Sequence, residues 1–303
     1  MDLSIIVVNW NTRELLRQCL RAVQETIEGI TYEVIVVDNG STDGSREMLR
    51  AEFPGTVLIE NVENQGFARA NNQGIRASRG RYILLLNSDA VLRPGAAARM
   101  IREFETHPTT GVVGARLLNP DGSFQASYAD FPTLRGELLL LTRLSRIVRG
   151  PTFPSYPERA SRTRREVDWV FGACLMIRRA TTEAVGLLDE EYFMYTEETD
   201  WCFRVRRAGW SVVYLPDAEV VHWSGQSARN APERKRSQLY RSKWLFLRKH
   251  RGAAVAFAFH VTLIAVSWLK LAAWLLRGMV ARGTERQYSL QQVRSYRLLL
   301  GQL

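Results

Sequence analysis

The stretch YEVIVVDNGSTDGS, Tyr32–Ser45, decides how the chain is read. Its first six residues are rich in β-branched and aromatic side chains that suit a strand. They run into Asp38-Asn39-Gly40-Ser41-Thr42-Asp43-Gly44, a run of turn formers that no strand continues through. The same pattern recurs on either side. LSIIVV (3–8) leads into Asn9-Trp10-Asn11, and YILLL (82–86) leads into Asn87-Ser88-Asp89. Between them, helices are expected from Thr12 to about Glu28, up to about Phe53, and from Phe67 to Ala77, with a further strand at Thr56–Glu60. Strands that are apolar throughout and alternate with helices predict a parallel sheet covered on both faces. In such sheets ligands sit beyond the carboxyl ends of the strands. The three polar clusters, Asn9–Asn11, Asp38–Asp43 and Asn87–Asp89, are therefore expected to form one site.

The chemistry of that site is bounded by what is missing. No G-x-G-x-x-G follows the first strand and no G-x-x-x-x-G-K-[ST] occurs, which argues against a dinucleotide enzyme and a P-loop NTPase. Carboxylates end two of the strands instead. Asp89, after an apolar strand and before Pro94, suits a divalent cation held against a diphosphate, because hard cations take oxygen ligands. Asp38 is read with it as a ligand-binding acid, whereas Asp43 is read as a turn former or helix cap.

The second half regains order at VDWVFGACLMIRR (167–179), expected to be one buried strand in which Gly172 admits a close backbone approach. The richest chemistry lies in Asp189–His222. Glu197, Glu198 and Asp200 open a helix with Trp201, Val205 and Ala208 on one face; Gly209 ends it, and a strand follows at Ser211–Leu215. Acids are favoured at a helix N-terminus, but three in four positions exceed what capping requires. The intervening segment, about Asn119–Arg165, carries several prolines, the leucine-rich stretch Leu134–Val148 and a cluster of arginines, and is expected to be an irregular, acceptor- or membrane-facing loop or else a solvated basic one.

Composition sets the remaining limits. At 303 residues with 46% hydrophobic and 24% charged residues, the chain is globular and long enough for one or two domains. Cys19, Cys174 and Cys202 contain no C-x-x-C pair, which excludes a disulfide framework or zinc ribbon and fits a reducing compartment. The net charge of +10 is concentrated at one end: 15 of the 41 Lys and Arg, but only two of the 31 acids, lie from Arg229 onward. Basic residues confined to one end and flanking an apolar run point to an anionic membrane surface and away from nucleic acid. That run, Ala253–Leu276, is interrupted only by His260 and Lys270 as strongly polar residues. As a helix it would reach roughly 36 Å, enough to cross a bilayer core of about 30 Å. A single span, an interfacial helix and a hairpin broken near Ser267 all fit, as does a buried helix capping the domain. Positive charge on both flanks sets no orientation, and no secretory signal precedes the first strand.

Taken in order, SIIVVNWN (4–11), VIVVDNGSTDGS (34–45), NQGFARANNQGI (64–75), LLLNSDA (84–90), WVFGACLMIRR (169–179) and EETDWCFRVRRAGW (197–210) resemble the family-2 glycosyltransferases, in particular their bacterial rhamnosyltransferase-like branch. RSKWLFLRKHRG (241–252) is similar to the family's ending. The resemblance implies an α/β GT-A fold, a Rossmann-like mixed sheet with helices on both faces, over residues 1–252. A basic, apolar helical tail over 253–303 would associate with the membrane. It implies an inverting transferase that takes a sugar from a nucleotide-diphosphate donor, of dTDP-rhamnose or UDP-sugar type, to a lipid-linked or polysaccharide hydroxyl at the cytoplasmic face of the membrane. Carried over by position, Asn9 and Asp38 would contact the nucleoside, with Asp38 reading the base. Asn11, Asn39, Asn64, Gly66, Asn71, Asn87, Ser88 and Gly172 would complete the donor site. Asn87-Ser88-Asp89 falls where the family has its D-x-D motif, leaving Asp89 as the direct ligand of Mg2+ or Mn2+, with His222 as a second ligand. Glu198 occupies the general-base position, usually Asp in the family; Glu197 and Asp200 are the alternatives, unless Asp200 orients the helix through Arg204 at i+4. A catalytically silent nucleotide-sugar-binding module and a membrane scaffold of a polysaccharide pathway are the competing readings.

Overall fold

The computed structural model describes residues 1–150, 153–158, 162–225 and 232–302. Contacts divide the chain into two compact units. The first comprises Met1–Phe131, Pro154–Phe193 and Glu197–Ser227; the second comprises Pro132–Phe153, Met194–Thr196 and Ala228–Leu303. The sequence reading ended the first domain at 252, whereas contacts group the helix before Gly252 and the leucine-rich segment with the tail.

The first unit is built on a nine-stranded sheet. Strands β1 (Leu3–Asn9), β2 (Tyr32–Asn39), β3 (Val57–Asn61) and β4 (Tyr82–Asn87) are parallel neighbours in the order β3-β2-β1-β4, as their continuous apolar character predicts. Alternate residues feed two cores. Leu3, Ile5 and Val7 face one side with Leu16, Cys19 and Val23 of α1 (Arg13–Thr26), Met48 and Leu49 of α2 (Ser45–Glu52) and Met100 of α4 (Ala96–Thr106). Ile6, Ile35, Ile83 and Leu85 face the other with Ala68 and Ile75 of α3 (Phe67–Ala77) and Trp201 and Val205 of α8 (Glu197–Arg207). Each such aliphatic side chain contributes about 1.5–3 kcal/mol by burial, so a one-residue slip of any strand would exchange two complete faces.

Beyond β4 the sheet becomes mixed, continuing β10-β6-β11-β5 with β10 (Cys174–Arg178) antiparallel to both β4 and β6 (Thr110–Leu118). The single strand expected over 167–179 is in fact two. Trp169–Val170 forms β9, which pairs in a separate small sheet with β7 (Tyr128–Ala129), and the chain turns through Gly172 before β10. Apolar composition alone does not locate that break, because both halves are buried. The last strand, β11 (Ser211–His222), is longer than expected and crosses an irregularity between Leu215 and Glu219. Pro216 lies there and donates no ladder hydrogen bond, so the strand is re-aimed and its end pairs antiparallel with β5 (Ala90–Leu92), setting His222 opposite Ala90. A two-residue strand, β8 (Arg165–Glu166), closes the outer side of β11, and α7 (Arg179–Val185) follows β10.

The second unit is helical: α5 (Leu134–Thr142), α6 (Ser145–Val148), α9 (Pro232–Arg251), α10 (Ala253–Val280) and α11 (Gly283–Leu300). The segment expected to be an irregular loop thus carries two helices of this unit. Gly252, at φ +96°, turns the chain between α9 and α10. α10 is continuous through Ser267, so no hairpin break occurs there. Ala256, Phe259, Leu263, Ser267 and Leu271 form its buried stripe, while Phe257, Trp268, Leu269, Leu276, Met279 and Val280 are exposed. Lys270 Nζ donates to the Leu141 carbonyl at 2.6 Å, and Lys243 pairs with Glu137 at 2.7 Å.

Candidate active site

The three polar clusters do converge. Register places Asn9 beside Asp38 and Val8 beside Asn87, so the carboxyl ends of β2, β1 and β4 lie side by side. On the β1–β2 side every amide and carboxylate of the predicted donor residues is engaged. Asn9 Nδ2 donates to Asp38 Oδ2 and to Ser41 Oγ, both at 3.0 Å, and its Oδ1 accepts from Thr12 Oγ1 at 2.7 Å. Asp38 Oδ1 accepts from the Ser41 amide at 3.0 Å and from Arg46 Nε at 2.6 Å. Burial pushes the Asp38 carboxyl upward. The donors on Ser41, Arg46 and Asn9 together outweigh it and hold the group below the usual carboxylate range. Asn39 binds Asn64 Oδ1, the Gly66 carbonyl, the Asn61 amide group and the Gln65 N–H. Asn71 turns back on the Phe67 carbonyl at 2.9 Å. Asn11, at φ +54°, accepts from the Thr42 N–H at 2.7 Å. Asp43 accepts from the Arg13 and Ser45 amides and so caps α1 and α2, the role expected of it.

Gly66 has a steric role as well as its positive φ of +85°. A Cβ there would lie 2.5 Å from the Phe193 carbonyl oxygen, the atom that accepts from the Phe67 N–H at 2.6 Å. The loop of NQGF is thereby fixed against the segment leading toward α8.

The β4–β11 side differs. Asp89, buried, lies 3.3 Å from His222 Nε2 through its Oδ1, and its carbonyl accepts from the Trp223 N–H at 2.9 Å. Asn87 Nδ2 approaches the same Nε2 at 3.5 Å, and Asn87 Oδ1 is buried with no hydrogen-bond partner among the described residues. Ser88 points away from this pair and bonds Thr12 Oγ1 at 2.8 Å, tying the β4 turn to the end of β1.

The acids of α8 reach the same edge through one short segment. The Ala173 carbonyl accepts from the Asn87 N–H at 3.0 Å, and a Cβ at the adjacent Gly172 would lie 3.6 Å from Glu198 Oε1. The three acids are unlike one another. Glu197 is buried, its Oε2 has no hydrogen-bond partner among the described residues, and burial followed by the charge of Glu198 pushes its pKa well up. Asp200 is buried and committed to Arg204 Nε at 2.9 Å and to the Tyr192 hydroxyl, the i+4 orienting role foreseen as its alternative. Glu198 alone of the three is partly exposed.

Sequence reasoning did not single out Ser41, Arg46, Thr12 or Gln125. The first three complete the Asn9–Asp38 network, and Gln125 accepts at 2.6 Å from His222 Nδ1. The N-P-D-G turn at 119–122 was the signal that could have drawn attention to Gln125, because a tight turn there folds the chain back along β6.

Asp89, His222 and Asn87 fit a divalent cation in kind. Carboxylate and amide oxygens suit Mg2+ and Mn2+, an imidazole nitrogen extends the set, and the orphaned Asn87 Oδ1 is a buried acceptor facing no donor. Among the described residues no third His, Cys, Asp or Glu joins the pair.

A mixed α/β sheet of this topology is a GT-A-like fold. Glycosyl transferase family 2 matches residues 4–186, and the chain belongs to that family. It is 29% identical over 300 residues to N-acetylglucosaminyl-diphospho-decaprenol L-rhamnosyltransferase of Mycobacterium tuberculosis, covering 92% of this chain and 90% of that one. It is also 29% identical to the low-salt glycan biosynthesis hexosyltransferase Agl10 of Haloferax volcanii, over 73% of this chain and 67% of that one. Among solved structures it is similar to the mannosyltransferase PcManGT of Pyrobaculum calidifontis in complex with GDP-Man and Mn2+. That likeness has TM-score 0.56 and 17% identity, over 98% of this chain and 86% of that one.

Proposed function

We propose that the chain is an inverting, metal-dependent glycosyltransferase that moves a deoxyhexose such as rhamnose from a dTDP or UDP donor to a hydroxyl of a lipid-linked glycan intermediate. The observation that carries this reading is the pairing of Asp89 with His222 beyond the end of β4, where the Asn87 N–H also binds Ala173, next to Gly172, against which Glu198 lies. The named activity of the mycobacterial relative, matched along nearly its whole length, supports the sugar and the lipid-linked acceptor.

Asp89 and His222, with Asn87 beside them, would hold Mg2+ or Mn2+. When bound, the cation supplies positive charge against the diphosphate leaving group. Glu198 takes the proton of the acceptor hydroxyl as its oxygen bonds to the anomeric carbon. The bond from that carbon to the diphosphate oxygen breaks on the opposite face, and its electron pair leaves with the nucleoside diphosphate. General-base assistance of this kind contributes about 10²–10⁴-fold. Burial and the neighbouring Glu198 charge raise the Glu197 pKa, and Glu198, the partly exposed member of the pair, is the acid assigned as base. The Asn9–Asp38–Ser41 and Asn39–Asn64–Gly66 networks shape the loops that enclose the nucleoside, and the donor contacts assigned to those residues operate through that shape.

Catalysis is assigned to residues 1–252 and membrane association to 253–303. Exposed Phe257, Trp268, Leu269, Leu276 and Met279 on a helix 28 residues long, roughly 42 Å, supply the apolar face, and Arg248, Lys249, Arg251 and Arg277 supply charge for anionic headgroups. The test is transfer from dTDP-rhamnose and UDP-sugars to a polyprenyl-diphosphate glycan, with Mn2+, Mg2+ or EDTA. Transfer from one donor that EDTA abolishes is expected; transfer that persists in EDTA would refute the metal, and none from any donor would refute the reaction.

A further inference from the structure

The pair Asp89–His222 is useful to a cation only if His222 Nε2 offers a lone pair. Free neutral imidazole carries its proton on either nitrogen, and Asp89 Oδ1 at 3.3 Å draws it toward Nε2, so something must hold it on Nδ1. The turn at the end of β6 contains a chain of hydrogen bonds whose direction is set at its far end. Asp121 Oδ1 accepts from the Ser123 N–H at 2.9 Å and from Ser123 Oγ at 2.6 Å. Those hydrogen bonds hold the exposed Asp121 carboxyl below its ordinary pKa, so it is an acceptor only. The Ser123 hydroxyl must then donate to Asp121, and its lone pair accepts from Asn119 Nδ2 at 2.9 Å. Asn119 Oδ1, so oriented, accepts from Gln125 Nε2 at 2.8 Å, and the same Nε2 reaches the His222 carbonyl at 3.2 Å. Gln125 Oε1 is left facing His222 Nδ1 at 2.6 Å, and an amide oxygen there requires an N–H. Backbone bonds from Gly122 to Asn119, from Asn119 to Ser123 and from Gln125 to Leu117 hold the turn in place.

We propose that Gln125 is a positioning residue that locks His222 in the Nδ1–H form and so reserves Nε2 for a divalent cation shared with Asp89, with the Asn119–Ser123 turn setting which way the Gln125 amide points. This rests on the metal-site reading of Asp89 and His222. A partner on the far nitrogen of a ligating histidine typically changes metal affinity by about 10- to 100-fold.

The test uses the full chain in detergent with Mn2+ alone as probe. Nitrogen–proton correlation spectra of the metal-free protein, labelled at its four histidines and assigned with His222→Gln, read the protonated nitrogen when the ring is neutral. Electron paramagnetic resonance reads Mn2+ binding. The expected results are an Nδ1–H form in the wild type and, in Gln125→Leu, a mixture of forms with Mn2+ bound about 10- to 100-fold more weakly. An Nε2–H form in the wild type overturns the proposal without any variant. So does wild-type Mn2+ affinity in Gln125→Leu. Gln125-dependent Mn2+ binding by a chain that transfers no sugar would sink the proposed function and leave this inference standing. Sugar transfer with Mn2+ binding indifferent to Gln125 would do the reverse.

Discussion

The two halves of the site edge are built to opposite specifications. Around β1 and β2, Asn9, Asp38 and Asn39 spend their hydrogen-bonding capacity on one another and on the loops they hold. Around β4, β11 and α8, buried acceptors stand with no partner among the described residues in Asn87 Oδ1 and Glu197 Oε2, and the Asp89 carboxylate faces a histidine nitrogen. A satisfied buried network rigidifies; an unsatisfied one costs free energy unless a ligand or proton completes it. Under the proposed function the second half is the chemical centre, and the first holds the donor-binding residues on a rigid frame. That division can be broken by experiment.

The largest effect is expected at the chemical centre. Glu198→Gln should lower the rate of transfer by about 10²–10⁴-fold while nucleotide binding, followed by thermal shift, stays near wild type. Near-normal turnover would remove Glu198 from the mechanism and reopen the choice of base. Asp38→Ala should act on the scaffold instead. It leaves the Arg46 guanidinium, the Asn9 amide and the Ser41 N–H without their shared acceptor, and denaturant unfolding should show a loss of about 2–4 kcal/mol. A stable Asp38→Ala protein that merely fails to bind nucleotide would take Asp38 out of that frame.

Smaller effects sharpen the comparison. Replacing Leu269 and Leu276, both exposed on α10, with Asp should shift the protein from the membrane pellet to the supernatant, since acids at mid-bilayer cost about 2.5–3.5 kcal/mol each. Unchanged pelleting would mean that this face is not the anchor. The smallest effect concerns Glu197. Its folded pKa is raised by burial and by Glu198, so the unfolded chain loses this proton first, and the stabilisation present below about 4.5 is lost as pH rises toward the folded value. Glu197→Gln has no proton to lose. Its melting temperature should gain on the wild type as pH climbs through that window and match it below; a constant difference at all pH values would show that Glu197 is not held protonated.

Much of this was legible in the residues. The apolar runs ending in Asn9, Asp38 and Asn87 gave the parallel half of the sheet and the shared edge, because strand period and turn chemistry are local properties. The acids at 197–200 marked α8 for the same reason. The break of 167–179 into β9 and β10 was not legible, since burial on both sides of Gly172 leaves no polar punctuation. Nor was the difference among the three acids: Glu197, Glu198 and Asp200 are near neighbours in sequence, and only their surroundings make one buried with its pKa raised, one partly exposed and one paired with Arg204.

By itself, then, the sequence determined the parallel strands β1–β4, the helices α1–α3 and α8, where the polar clusters end the strands, and that the positive charge gathers about an apolar C-terminal helix. Those are consequences of side-chain period and composition. Tertiary structure alone decided that the kink at Pro216 carries His222 to Asp89, that Ala173 and Gly172 bridge Asn87 to Glu198, and that Gln125 reaches His222 from a turn 97 positions away. Those contacts join residues that no local rule relates, and they exist only once the two faces of the sheet are packed.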